Sequence, residues 1–291
     1  MYVRLCPTQK NGLIVNSKKA ADLLIWAAGR RNYPNGVGVN FGKLPLNRQI
    51  AEHFERIRIM NINRLHIITV LFVASVLLVA PAFAADKRIG VLVFDTVLTS
   101  DVTAPAEVFG VATRKSWFAD YEVVFIGVER KPVITTEEGI RLPVDATIYD
   151  APKLDALIVA SAYEMDWLFK NADLTDFLVT QAKTVKWLAS NCSGAFLYAH
   201  AGLLDGYSAT TWAGGERGLQ RDFPKIKVVI DKNVVVDRNR ISSNGGIPSY
   251  QAALVMLSMM ADPGKAKTVF ETIQLNRLIP WSDIENFFPE S

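Results

Sequence analysis

Four short apolar runs constrain this chain more than any other feature. Arg88–Phe94 (RIGVLVF), Tyr121–Gly127 (YEVVFIG), Leu154–Ala160 (LDALIVA) and Lys186–Ser190 (KWLAS) are separated by helical or turn-rich text. Runs this short, with little polar alternation, suit strands buried on both faces of a sheet. Helical patterns fill Val102–Arg114 and Leu174–Thr184, while Val133–Thr147 reads as a hairpin or excursion. After the fourth run the pattern predicts a helix over Ser193–Ala201 closed by Gly202. Short strands at Ser208–Trp212, Lys227–Ile230 and Val234–Val236 follow, then helices over Pro248–Met260 and Gly264–Leu275. Strands alternating with helices at this spacing imply an α/β fold, a mostly parallel sheet with helices on both faces.

That pattern starts only near residue 85, and the text before it is of another kind. Met60-Asn-Ile-Asn-Arg64 makes a short basic head, Ile67–Ala80 an apolar middle, and Pro81-Ala-Phe-Ala84 an A-x-A cleavage signal. Together they describe a secretory signal peptide over residues 60–84. The apolar run is shorter than the ~20 residues a spanning helix needs, so an uncleaved membrane anchor is the alternative. Residues 1–59 show no periodicity and read as an upstream mis-start or an unstructured extension. The expected mature product is therefore one domain, residues 85–291, in the periplasm or secreted. The leading 84 residues hold 11 Lys+Arg and 3 Asp+Glu, leaving 21 and 26 in the other 207, so the domain is net −5 although the chain is +3. No basic stripe interleaved with aromatics appears, and no nucleic-acid role is expected.

Of two cysteines, only Cys192 follows Ala84, so the domain cannot close an internal disulfide even in an oxidising compartment. An exported thiol with no partner asks for a reason, and its position offers one. Lys186–Ser190 runs straight into Asn191-Cys192-Ser193-Gly194, where a helix pattern begins. In open α/β sheets, function gathers at the carboxyl ends of strands. A strand-to-helix corner lifts a side chain above the sheet, and a helix N-terminus favours a thiolate. The opposing possibility is a buried structural cysteine, a common fate for free thiols.

The partner of such a thiol is not a histidine. His200, the one histidine after Ala84, lies eight residues along the same helix, about 12 Å of rise away. One cysteine and one histidine also make a poor zinc site, and no metal is expected. Carboxylates remain, and Asp95 and Asp101 both lie just beyond the first strand, at the edge where Cys192 should emerge. Capping the following helix is the competing role for Asp101.

Phe94-Asp-x4-Ser-Asp101-Val-Thr-Ala-Pro-Ala-Glu-Val-Phe109 resembles the first βα turn of the ThiJ/PfpI superfamily. Asn191-Cys-Ser-Gly-Ala-Phe-x3-His-Ala-Gly-Leu-Leu-Asp-Gly206-x2-Ala-Thr-Thr-Trp212 is similar to its Cys-Thr-Gly-Ala elbow, and Ile241-Ser-Ser-Asn-Gly-Gly-Ile-Pro-Ser-Tyr250 to its later Gly-rich turn. The motifs lie nearest the isonitrile-hydratase-like branch and the amidotransferase-like domains of AraC-type regulators. The resemblance implies a flavodoxin-like fold, usually dimeric, with no cofactor. It implies Cys192 as nucleophile at the elbow, Asp101 as proton shuttle and Ser193 as the assisting hydroxyl.

Three departures accompany the likeness. Relatives often carry Pro-Gly-Gly after the third core strand, whose amide helps an oxyanion hole. Here the residues are Ala160-Ser161-Ala162, leaving the amides of Ser161 and Ala162 as the expected donors. Where a histidine often follows Ala-Thr-Thr, this chain has Trp212. No DNA-binding segment follows before Ser291, which counts against a regulator. Gly194, Trp212 and Gly245 complete the expected pocket, while Trp117, Trp167 and Leu278–Trp281 could be pocket, dimer surface or core. Three functions stay open: an exported cysteine enzyme hydrating or hydrolysing a small electrophilic carbon, a non-catalytic periplasmic binding or sensor module, and a redox or reactive-carbonyl protector. The expected partners are a small-molecule substrate and a second copy of the chain, with any membrane contact through the leader.

Overall fold

A computed structural model of the protein describes residues 86–289. The segments read as an extension, 1–59, and as a signal peptide, 60–84, lie outside the described residues. Seven strands make one sheet: β1 (Lys87–Val93), β2 (Tyr121–Gly127), β5 (Ala146–Thr147), β6 (Ala156–Val159), β7 (Trp187–Asn191), β10 (Val234–Asp237) and β11 (Arg240–Ser243). Their order across the sheet is β10-β11-β7-β6-β1-β2-β5. Every neighbouring pair is parallel except the edge pair β10–β11. This is the flavodoxin-like α/β architecture. Strand order reverses at β1, whose neighbours β2 and β6 lie on opposite sides, which is where such sheets open a crevice.

The four core runs become strands because each can be buried on both faces. Ile89, Val91, Leu92 and Val93 of β1 and Ala156, Leu157 and Val159 of β6 are fully buried. Two small sheets stand apart. β3 (Val133–Thr135) and β4 (Arg141–Pro143) form the antiparallel hairpin expected there, and β8 (Ser208–Ala209) pairs in parallel with β9 (Lys227–Val228). The runs at 208–212 and 227–230 are thus strands, but not of the main sheet.

Helices cover both faces. One layer holds α1 (Thr99–Ala112), and the other holds α2 (Asp166–Phe169), α3 (Ala172–Ala182) and α4 (Gly194–His200). A short α5 (Glu216–Asp222) follows β8, and α6 (Pro248–Met260) and α7 (Pro263–Thr272) then pack with α1 on its face. A 3-10 turn (Leu275–Arg277) and α8 (Ser282–Glu285) close the described chain. α6 is buried nearly all round, from Ala252 to Leu257, because it lies between the sheet on one side and α1, α7 and α8 on the other. Trp281 packs into this layer against Phe270, with ring centroids 5.3 Å apart. No helix among the described residues is long and apolar enough to cross a membrane.

Candidate active site

Four adjacent strands deliver the site at their carboxyl ends. Cys192 directly follows β7, Ser161 lies two residues past β6, Asp101 sits in the first turn of α1 after β1, and Gly245 and Gly246 follow β11. β7 pairs with β6 through Ser190 and Val159 and with β11 through Asn191 and Ser243, which fixes the three turns side by side.

Cys192 occupies the corner in a left-handed backbone conformation, φ +53°. Such a conformation costs a non-glycine residue on the order of 1–3 kcal/mol and persists only where neighbours impose it. Here they do. The Cys192 N–H donates to Ser243 O at 2.9 Å and Thr211 Oγ1 donates to Cys192 O at 2.8 Å. Gly245 crosses beneath with φ +81°, and a Cβ there would fall 2.4 Å from Cys192 Cβ and 3.0 Å from Asp101 Oδ1. Only glycine fits between the two side chains. Gly194 is equally confined: a Cβ on it would meet Val159 O at 2.6 Å, so α4 starts flush against β6. Both glycines build the wall behind the cysteine and do not line the cavity.

Asp101 is fully buried. Its Oδ1 accepts from Gly246 N at 2.8 Å and Ser249 Oγ at 3.1 Å, and its Oδ2 accepts from Ser161 Oγ at 2.5 Å. Burial pushes its carboxyl above the ordinary 3.8, although the hydrogen bonds from Ser161, Gly246 and Ser249 pull the other way. Capping does not explain this aspartate, because α1 already starts at Thr99 and both Asp101 carboxylate oxygens are taken up by Ser161, Gly246 and Ser249. Asp95, the other carboxylate at this edge, belongs elsewhere: it accepts from Lys131 Nζ and from Thr135 N, both at 2.8 Å, and ties down the β3 hairpin.

The Cys192 thiol corrects one expectation. Its position before a helix suggested a depressed pKa, yet the thiol is pushed above its ordinary 9.0. Burial is the largest cause, and the nearby Asp101 charge adds to it. Hydrogen bonding from the Ser161 hydroxyl and from the Ser193 backbone and hydroxyl opposes both. Helix α4 spans seven residues, and its dipole does not overcome desolvation and a buried carboxylate.

The thiol faces a cavity of about 620 Å³ lined by Leu98, Ala162–Asp166, Phe169, Cys192, Ser193, Phe196 and Trp212. Its walls are aromatic and aliphatic, its two acids, Glu164 and Asp166, sit on the exposed chain before and at the start of α2, and no Lys, Arg or His lines it. Ser193 Oγ donates to Ala162 O at 3.2 Å, while the Ala162 amide donates to Met165 Sδ at 3.2 Å. The Ser161 backbone helps to hold the Asp101 carboxyl down. The Ala162 amide expected to hold an oxyanion is therefore engaged by sulfur. Trp212, 38 % exposed, leans on Phe196 with ring centroids 5.3 Å apart and closes one side. His200 is remote from the thiol in role, its ring stacked on Phe169 at 4.5 Å. Trp167, 38 % exposed, packs edge-on against Phe94 at 5.9 Å, and the partly buried Trp117 packs against the core residue Phe118 at 5.8 Å.

Several members of the cluster carry no signal in the sequence. Asn191, Ser243 and Ser249 are buried and complete the network around Asp101, yet an isolated Asn or Ser in a strand or turn has nothing to mark it. No group of three or more potential metal ligands occurs among the described residues.

Among curated proteins, the chain is 29 % identical over 161 residues to an isonitrile hydratase from Pseudomonas putida, covering 55 % of this chain and 65 % of that one. It is 27 % identical over 168 residues to the HTH-type transcriptional regulator GbdR from Pseudomonas aeruginosa, covering 58 % of this chain and 45 % of the regulator. The alignments thus span less than two thirds of either relative. Among solved structures, a ThiJ/PfpI family protein from Pseudomonas syringae superposes with a TM-score of 0.58 at 23 % identity, over 67 % of this chain and 80 % of that one. Drosophila melanogaster DJ-1beta superposes with a TM-score of 0.57 at 19 % identity, over 65 % and 97 %. The first set of similarities includes both an enzyme and a regulator, and the second concerns the fold. The model of the DJ-1/PfpI family matches residues 87–259, from the first residue of β1 to the penultimate residue of α6, and the chain belongs to that family.

Proposed function

We propose that the domain is a cysteine-dependent hydratase or hydrolase acting on a small, uncharged electrophilic carbon, an isonitrile being the best fit. The observation that carries this reading is one constellation: Cys192 held in a strained corner, open to an apolar cavity on one side and backed by a buried carboxylate on the other. The likeness to an isonitrile hydratase supports the same chemistry. A cavity without a cationic side chain discourages carboxylate and phosphate substrates and suits a neutral group.

The reaction follows from the groups present. Cys192 Sγ attacks the terminal carbon of R–NC while Asp101 accepts the thiol proton. A carboxyl raised above its usual range is the stronger base for that transfer. Asp101 then returns the proton to the carbon, giving the thioimidate R–N=CH–S–Cys192. Water adds across the C=N bond, the C–S bond breaks, and the sulfur recovers a proton as R–NH–CHO leaves. The net change is addition of one water. Ser193 Oγ, at the cavity wall, would hold the nitrogen or oxygen that gains electron density by turning its proton to it from Ala162 O. We place this enzyme outside the cytoplasm, a proposal supported by the leader-like text of residues 60–84.

The full-length domain incubated with benzyl isonitrile is expected to form N-benzylformamide, and the Cys192→Ala variant to form none. A second reading, a binding or sensor module, is favoured by the elevated thiol pKa, which leaves little thiolate at neutral pH. Saturable binding of the isonitrile with neither product nor a covalent adduct on Cys192 by intact mass would establish that reading instead.

A further inference from the structure

Ser161 lies at the end of β6, between the strand that carries Cys192 and the strand that leads to Asp101. It is fully buried and absent from the cavity lining, so its hydroxyl works inside the wall. Two facts define what that hydroxyl does. Asp101 Oδ1 is already engaged by Gly246 N and Ser249 Oγ, and the Gly245 backbone stands between that oxygen and Cys192 Cβ. The oxygen left for proton traffic is Oδ2, where the Ser161 hydroxyl donates at 2.5 Å. A serine hydroxyl has one proton and two lone pairs. With its proton committed to Asp101, its lone pairs remain to accept the thiol S–H, and the strand register brings it alongside: Val159 pairs with Ser190, so two residues on Ser161 comes level with Cys192, whose thiol pKa is held down by the Ser161 hydroxyl.

We propose that Ser161 is the proton relay joining Cys192 to Asp101, resting on the reading of those two residues as the reacting pair. When sulfur bonds to carbon, the S–H proton passes to Ser161 Oγ as the Ser161 proton passes to Asp101 Oδ2. The S–H electron pair stays on sulfur and becomes the S–C bond, and Asp101 ends neutral. The reverse transfer brings the proton back to the carbon now bonded to Sγ. A glycine at this position would lack the relay atom, so the serine adds a function that a tight turn alone does not supply.

The test needs no substrate. The rate of Cys192 alkylation by iodoacetamide would be followed against pH in the full-length protein and its Ser161→Ala, Ser161→Gly and Ser161→Thr variants. Once the proton has moved on to Asp101, Ser161 Oγ carries the former S–H proton and donates it back to the thiolate, so Ala and Gly should raise the alkylation midpoint by about one pH unit and Thr should keep it. A serine that merely holds Asp101 gives the opposite sign, because losing its hydrogen bond favours the neutral carboxyl and relieves the thiolate. The other ionisable groups facing the cavity are the Glu164 and Asp166 carboxylates and the Tyr163 phenol, all exposed; α4 carries only His200, at its far end and stacked on Phe169, and the Gly245–Gly246 turn bears no charge. Gly is included because its fold does not depend on fitting a new side chain. A midpoint that stays or falls in both Ala and Gly overturns the relay. If benzyl isonitrile is turned over, Ser161→Ala should lower kcat by roughly 10- to 100-fold with KM unchanged. Absence of turnover in the unaltered protein removes the isonitrile reading and leaves the alkylation result to judge the relay.

Discussion

The side-chain amide of Asn191 donates to the backbone carbonyl of Asp101 at 2.9 Å and accepts from Ser243 Oγ at 2.6 Å. One buried amide thereby joins the residue before the cysteine, the turn that bears the carboxylate and the strand that bears the glycine turn. Asn191→Asp keeps the shape and the bond from Ser243 but sets a carboxylate oxygen against the Asp101 carbonyl. Losing the donor and burying an unpaired acceptor should cost about 2–3 kcal/mol. For a domain of this size thermal unfolding should then move down by roughly 4–12 °C. An unchanged melting temperature would mean that packing alone holds the two elements together.

Asp101 also makes a prediction about pH. Its folded-state pKa lies above the ordinary 3.8, so between those two values the native protein binds more protons than the unfolded chain. Stability from this group is therefore full below about pH 4 and is lost as pH rises through the folded value. Asp101→Asn, which cannot ionise, should gain stability relative to the unaltered protein across that window. Urea unfolding at pH 4 and at pH 8 checks the sign, and a gap that narrows with rising pH defeats the assignment. In the same variant the Cys192 alkylation midpoint should fall, because a negative charge that raises the thiol is gone.

Much of this was legible in the text of the chain, and the limits have physical causes. Tyr121–Gly127 and Pro248–Met260 have the bounds their patterns predict, since each is a long apolar segment with a turn signal at one or both ends. The stretch from Ile241 to Tyr250 resembles a Gly-rich turn, yet its first residues belong to strand β11, Arg240–Ser243. Ser242 and Ser243 are buried there, with Ser242 Oγ accepting from Thr210 N and Ser243 Oγ donating to Asn191. Tertiary partners satisfy those hydroxyls, and local pattern cannot reveal a partner 30 to 50 residues away. Ser161 was legible as a departure from Gly but not as a contact of Asp101. The thiol departs from expectation for a similar reason: a corner and a helix start are visible in sequence, whereas the burial of the thiol and the Asp101 charge beside it are not.

Gly245 is the residue most exposed to a single-atom test. Its φ of +81° disfavours any side chain, and an added methyl would meet Cys192 Cβ at 2.4 Å. Gly245→Ala should therefore destabilise the fold by about 1–3 kcal/mol and displace the cysteine from Asp101. Isonitrile turnover should drop by at least tenfold, since misplacement by an ångström commonly costs about 100-fold. Retention of full turnover would show that the corner tolerates more movement than its hydrogen bonds suggest.

Trp212 separates binding from proton chemistry. It lines the same cavity as Cys192 and carries no charge. It packs on Phe196 and lies so close over Gly215 that a Cβ there would fall 2.3 Å from the indole. Trp212→Ala removes one wall of the cavity without touching Asp101, Ser161 or Ser193. KM for benzyl isonitrile should rise by about tenfold, the loss expected when an aromatic contact is truncated. The alkylation midpoint of Cys192 should not move, and stability should change by no more than about 0.5 kcal/mol because the ring is partly exposed. Gly215→Ala should shift KM the same way by pushing the indole off its seat. Were Trp212→Ala instead to leave KM alone and move the alkylation midpoint, the indole would be tuning the thiol, and the wall role assigned to it would fall.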